Sequence, residues 1–112
     1  MELPGAELAV VDIVKLRDYC LNPSHYKGRH KARVFAAALS LTQSHAEFPR
    51  EELLRVAREG DAVEGNADGY GRRYILDLEL ALNGRHAVVR SAWIIRHGER
   101  FPRLTSCFVL SK

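Results

Sequence analysis

Gly28-Arg29-His30-Lys31, Arg90 and Thr105 carry the side chains best suited to chemistry on an anion. A histidine can give or take a proton near neutral pH. Lysine and arginine can stabilise charge that builds up on a pentacoordinate phosphorus. His30, Lys31 and Arg90 therefore suit metal-free cleavage of RNA, with Thr105 as a hydroxyl on the last strand. Asp77 is placed to orient the Arg90 guanidinium, whose planar fork matches a phosphate. Arg29 and Arg33 extend the basic segment as binding residues. Each feature also has a plainer reading. Lys31 can lay its stem along a buried helix, His30 can cap a turn, and Asp77–Arg90 can be a surface ion pair that stabilises little.

The basic segment conflicts with its local setting. Residues 29–31 open a predicted helix, where the backbone dipole favours acids and free N–H groups attract anions. Three basic or titratable side chains there cost stability unless an anion compensates, and such conflicts mark functional sites. No carboxylate cluster or Cys/His spacing suggests a metal, and no G-x-S-x-G supports a serine nucleophile.

The elements that must hold these residues follow from periodicity. Asp12 is an N-cap for a helix over Ile13 to Leu21, which Asn22-Pro23-Ser24 stops. A second helix runs from about Arg29 to Leu41, with Val34, Phe35, Ala38, Leu39 and Leu41 on its apolar face. Pro49 sits in the first turn of a third helix, which Gly60 ends. From Asp61 the period changes to two. Ala62 to Glu64 is a short strand, Gly65 to Gly71 a polar loop, and Arg73 to Leu82 a half-buried strand. Asn83-Gly84 is a strong two-residue hairpin signal, so His86 to Ile95 returns alongside. That turn fixes the register: Leu82 faces Arg85, Leu78 faces Val89, Tyr74 faces Trp93 on the core side, and Asp77 faces Arg90 on the other. Leu104 to Leu110 is the last strand. The prediction is an α+β domain over residues 1–112, with about three helices (12–60) on one face of a mostly antiparallel meander of three to four strands (61–111).

Composition sets the outer limits. The chain has 112 residues, 46% hydrophobic and 28% charged, which is ordinary for a globular domain and excludes a disordered tail or a disulfide scaffold. Net charge is +3, unevenly distributed: residues 22–33 hold four basic side chains and no acid, and 85–112 hold six against Glu99. Residues 47–69 hold seven acids against three arginines. If the basic blocks meet, they form an anion-binding patch; otherwise they are solvated charge. No apolar run approaches the roughly 20 residues of a membrane span, and the N-terminus lacks a signal-peptide pattern, so a cytoplasmic location is expected. Cys20 and Cys107 are then expected as free thiols.

Several segments resemble a bacterial family of domains of unknown function that often sit near toxin-type genes. They are Arg17 to Asn22, Gly28 to Phe35, Tyr70-Gly71, Tyr74 with Asp77, Val89 to Ile94, and Pro102-Arg103-Leu104-Thr105. The resemblance spans about Leu3 to Leu110 and implies the fold more than an activity. The layout of helices followed by a meander is similar to the barnase, EndoU, colicin and RelE group of ribonuclease toxins. That likeness implies a helix-borne His or Lys with strand-borne Arg and Ser/Thr, roles that His30, Lys31, Arg90 and Thr105 would fill. Cys107 and Phe108 stand where a second catalytic histidine would be, which argues against a two-histidine mechanism.

Two functions are consistent with these readings. One is a metal-independent, toxin-type endoribonuclease that needs no cofactor. The other is a non-catalytic module, such as an antitoxin, immunity or adaptor protein, docking RNA or a cognate protein through its basic patch.

Overall fold

A computed structural model describes residues 1–110. Asp12 caps the first helix as expected, its carboxylate accepting the Val14 N–H at 2.9 Å. Only one turn is α-helical, α1 (Ile13–Lys15), before the chain widens into a π-helical turn, Leu16–Cys20. The Leu21 N–H reaches back five residues to the Leu16 carbonyl at 3.0 Å. Leu16, Cys20 and Leu21 are all buried in this winding.

Helix α2 (Arg29–Leu39) ends earlier than periodicity suggests, because Ser40 turns left-handed at φ 54° and its N–H caps the Ala36 carbonyl. Its inward side is Ala32, Phe35 and Leu39; Val34, expected on that face, is 44% exposed. Helix α3 (Glu47–Glu59) holds Pro49 in its first turn and buries Leu53, Val56 and Ala57.

Four strands follow in meander order: β1 (Val63–Ala67), β2 (Gly71–Leu82), β3 (Arg85–Arg96) and β4 (Arg103–Val109). The expected polar loop after Glu64 is partly strand, since β1 runs on to Ala67 through a register shift against β2. Residue 111, the expected limit of the sheet part, lies outside the described residues. The hairpin register is the one the turn dictates: Tyr74 pairs with Trp93 and Asp77 with Arg90. Asn83 and Gly84 both take positive φ, at 56° and 72°. Tyr74, Leu76, Leu78, Leu80, Val89, Trp93 and Leu104 turn inward to meet Leu16, Phe35, Leu39 and Leu53 from the helices. Strand β4 carries a bulge: Ala92 pairs with Ser106 and Trp93 with Leu104, leaving Thr105 as the extra residue.

Candidate functional site

The clearest cluster of chemistry-bearing groups forms where the π-helical turn, the loop before α2 and the β4 bulge converge. An open cavity of about 560 Å³ there is lined by Lys15, Asp18, Tyr19, His25, Lys27 and Thr105, with Val14 at its edge. The wide turn delivers Tyr19 to this cavity while Cys20 goes inward. Gly28 lets the loop close down: a Cβ on Gly28 would stand 2.0 Å from the Tyr19 carbonyl oxygen. The bulge gives Thr105 its place. Strict alternation predicts that Thr105 faces outward, but as the extra residue it lines the helix-side cavity, its hydroxyl donating to the Ala92 carbonyl at 3.1 Å.

His25 is held by its backbone surroundings. Its Nδ1 accepts the N–H groups of Lys27 and Gly28, each at 3.0 Å. The neutral ring must therefore carry its proton on Nε2, so that nitrogen is a hydrogen-bond donor. The ring packs edge-on against Tyr19, centroids 5.0 Å apart at 82°, and stacks on exposed Tyr26 at 5.6 Å and 11°.

Lys31 stands beside this pair. Its ammonium donates to Tyr19 Oη at 2.8 Å and lies 4.9 Å from the centre of that ring. Tyr19 Oη accepts that bond and keeps its own proton to donate. Lys31 is half-buried and has no carboxylate within 4.0 Å among the described residues. Asp18 adds little negative charge at the cavity, because Arg17 grips both its oxygens at 2.9 and 3.0 Å. The same hydrogen bonds hold its carboxyl below the usual range, so it is an acceptor and not an acid near neutrality.

Inward of the site lie the two free cysteines, both fully buried. A hydrogen bond from Cys107 is the main influence drawing the Cys20 thiol down to about 7, against the cost of burial and with help from the Lys31 charge. Cys107 is pushed up by the same contact and by burial.

The expected site residues separate into groups. Lys31 and Thr105 come to this end of the molecule. Arg29 binds the Tyr26 carbonyl and so braces the loop. Arg33 lines a smaller cavity of about 290 Å³ with Leu21 and Leu41. His30 is exposed and makes no hydrogen bond or ion pair among the described residues. Arg90 and Asp77 pair across the hairpin at 2.9 and 3.0 Å, on the face away from the core. Helix α2 packs on the opposite face, so the single patch expected of Arg29, His30, Lys31 and Arg90 is not formed. His25 and Tyr19 are the groups that sequence reasoning passed over. Their signal was present: Tyr19, His25 and Lys31 are spaced about six residues apart around Pro23 and Gly28, which must fold that stretch back on itself.

The chain matches the domain of unknown function DUF6883 over residues 2–111 and belongs to that family. No curated protein matches it. Among solved structures it is similar to a chain of a contact-dependent growth inhibition toxin–immunity protein complex from Klebsiella pneumoniae 342. The TM-score is 0.66 at 14% identity, covering 90% of this chain and 99% of that chain. That likeness concerns the fold.

Proposed function

We propose that this DUF6883 domain is a metal-independent endoribonuclease of toxin type, working at the Tyr19–His25–Lys31 cavity. The observation that supports it most is the half-buried Lys31 ammonium, which has no acid partner among the described residues and stands against Tyr19 Oη beside a histidine fixed as a donor. These groups suit a phosphodiester whose ribose 2′-hydroxyl loses its proton to water and attacks the adjacent phosphorus, while the P–O5′ bond breaks and the departing 5′-oxygen takes a proton from water. Tyr19 Oη–H and His25 Nε2–H donate to phosphoryl oxygens as negative charge grows, and Lys31 supplies positive charge behind the phenol. Lys15 and Lys27 in the lining attract the flanking phosphates, and Thr105, whose hydroxyl proton is given to the Ala92 carbonyl, offers an acceptor oxygen. Exposed Tyr26 gives an unpaired base a surface to stack on. In this reading Lys31 and Thr105 keep the roles suggested by the sequence, and His25 replaces His30.

The test is incubation of the purified chain with total RNA and tRNA in EDTA, followed by mapping of the cut ends. Cleavage leaving 2′,3′-cyclic phosphate and 5′-hydroxyl ends is expected. His25→Ala and Lys31→Ala should each lower the rate roughly 10²–10³-fold, the usual cost of one preorganised donor. Arg90→Ala, altered on the far face of the sheet, should cut nearly as well as the wild type. If His25→Ala and Lys31→Ala cleave at full rate, this site is wrong.

One feature favours a second reading, a non-catalytic module that docks a cognate toxin or immunity protein. The outward sheet face leaves Val88 44% exposed and Ile75, Ala92 and Phe108 partly exposed beside the Asp77–Arg90 pair. The structural neighbour comes from a toxin–immunity complex, which agrees with either role. RNA that is bound but never cut would decide for the module.

A further inference from the structure

A second cavity, of about 480 Å³, opens at the end of the sheet away from the Asn83–Gly84 turn, and it shares no lining residue with the first. Arg72, Arg96 and Arg100 line it, against an apolar wall that includes Pro4, Tyr74 and Ile95. Elsewhere on the sheet Arg73, Arg90 and Arg103 are matched with Asp68, Asp77 and Glu99, and Arg85 donates to the Ala37 carbonyl. Arg72, Arg96 and Arg100 are not matched, since none has a carboxylate within 4.0 Å or a side-chain hydrogen bond among the described residues. Glu99, the acid that lines the cavity, is gripped by Arg103 through both oxygens at 2.9 Å each.

The positions of these arginines are set by rigid backbone. Gly71 pairs with Arg96 and Arg72 with Ile95 in the last rungs of the hairpin. A Cβ on Gly71 would lie 2.1 Å from the Ile95 carbonyl oxygen, so the strands approach there as only glycine allows. Gly98, at φ 84°, turns the chain back and brings Arg100 to the same rim. Three cationic side chains thus line one concavity whose single acid, Glu99, is held by Arg103 and only secondarily attracted by Arg96. An anion would supply the hydrogen-bond acceptors that these guanidiniums lack among the described residues.

We infer that Arg72, Arg96 and Arg100 bind a phosphoryl group, as a second ligand site separate from the Tyr19–His25–Lys31 cavity. Arginine forks match phosphate oxygens bidentately, and a tetrahedral phosphate offers several edges where a carboxylate offers one. The cavity volume is in the range of small-ligand sites, and its concavity suits a phosphate better than a flat protein surface. The phosphate can belong to a small phosphorylated molecule or to a nucleic-acid backbone. The site stands whether or not the first cavity cleaves RNA.

The experiment uses the full chain and two probes, followed by NMR of backbone amides and arginine side-chain N–H groups. One probe is inorganic pyrophosphate. The other is a 2′-O-methyl oligoribonucleotide without terminal phosphates, which cannot be cut through its 2′-oxygen. Pyrophosphate should give saturable shifts at residues 71–72 and 95–100, and the Arg72→Gln, Arg96→Gln, Arg100→Gln triple variant should bind it at least tenfold more weakly. All three side chains are exposed, so the variant should fold, which Trp93 fluorescence checks; Arg96→Gln alone serves if it does not. A parallel loss of oligonucleotide affinity identifies a backbone phosphate as the ligand, and loss confined to pyrophosphate identifies a small phosphorylated molecule. Shifts that fail to saturate, or a variant that binds pyrophosphate as well as the wild type, would overturn the inference.

Discussion

Ser91 shows how much one buried hydroxyl can determine. It is fully buried, accepts the Trp93 indole N–H at 2.9 Å and donates to the Leu76 carbonyl at 2.7 Å. Ser91→Ala would leave the indole donor without its partner in the core, so a loss of about 1–3 kcal/mol is expected from denaturant unfolding. The alternation that turns Val89 and Trp93 inward puts Ser91 on the same face, but it does not give the bond to the indole, because parity fixes a face and not a partner. The cysteine pair supplies a second expectation at this scale. Cys20 is drawn down to about 7 chiefly by Cys107, with Lys31 adding a favourable charge. The first proton to leave the pair should therefore come off near neutrality, and Lys31→Ala should move that step upward. Ultraviolet thiolate absorbance followed against pH would show it, and an unmoved curve would mean that Lys31 does not reach the thiols.

At the scale of elements, what could be read from the sequence depended on how locally each was encoded. The β2–β3 hairpin was legible to the residue, because Asn83-Gly84 admits one tight turn and that turn sets every pair from Leu82–Arg85 to Tyr74–Trp93. The π-helical turn and the β4 bulge were not. Both add one residue to a regular period, and both are settled by what must be buried around Cys20 and Cys107 rather than by local propensity. These two irregularities position Tyr19 and Thr105, so the candidate site was harder to read than the fold. The Asp77–Arg90 pair tests the legible hairpin. Its bonds to Arg90 hold the Asp77 carboxyl below the ordinary aspartate value. The stability it lends is thus present above about pH 4, the unfolded value, and fades as pH falls through the lower folded value. Both side chains are more than a third exposed, so Asp77→Asn should cost no more than about 1 kcal/mol at pH 7. The wild type and variant should converge in stability near pH 2. A difference that persisted there would assign the effect to something other than the carboxylate.

At the scale of the whole molecule, the helices and strands do not have separate cores. One buried cluster takes Leu16 and Leu21 from the first helical segment, Phe35 and Leu39 from α2, Leu53 and Val56 from α3, and Tyr74, Val89, Trp93 and Leu104 from the sheet. Neither the helical part nor the meander can bury its apolar side alone, so the two should unfold together. Trp93 reports on this directly, being the single tryptophan and 1% exposed at the junction of the two layers. Its fluorescence and the far-ultraviolet circular dichroism should trace the same unfolding curve, as expected for two-state behaviour. Trp93→Ala, followed by circular dichroism, should cost roughly 3–5 kcal/mol, the range for large aromatic truncations in cores. Against a total of about 5–15 kcal/mol for a domain, that loss should lower the melting temperature by roughly 10–20 °C and leave helices and sheet melting as one. Wild-type fluorescence changing ahead of circular dichroism would mean that the sheet opens while the helices persist, and the shared core would then be a weaker bond between the layers than its composition implies.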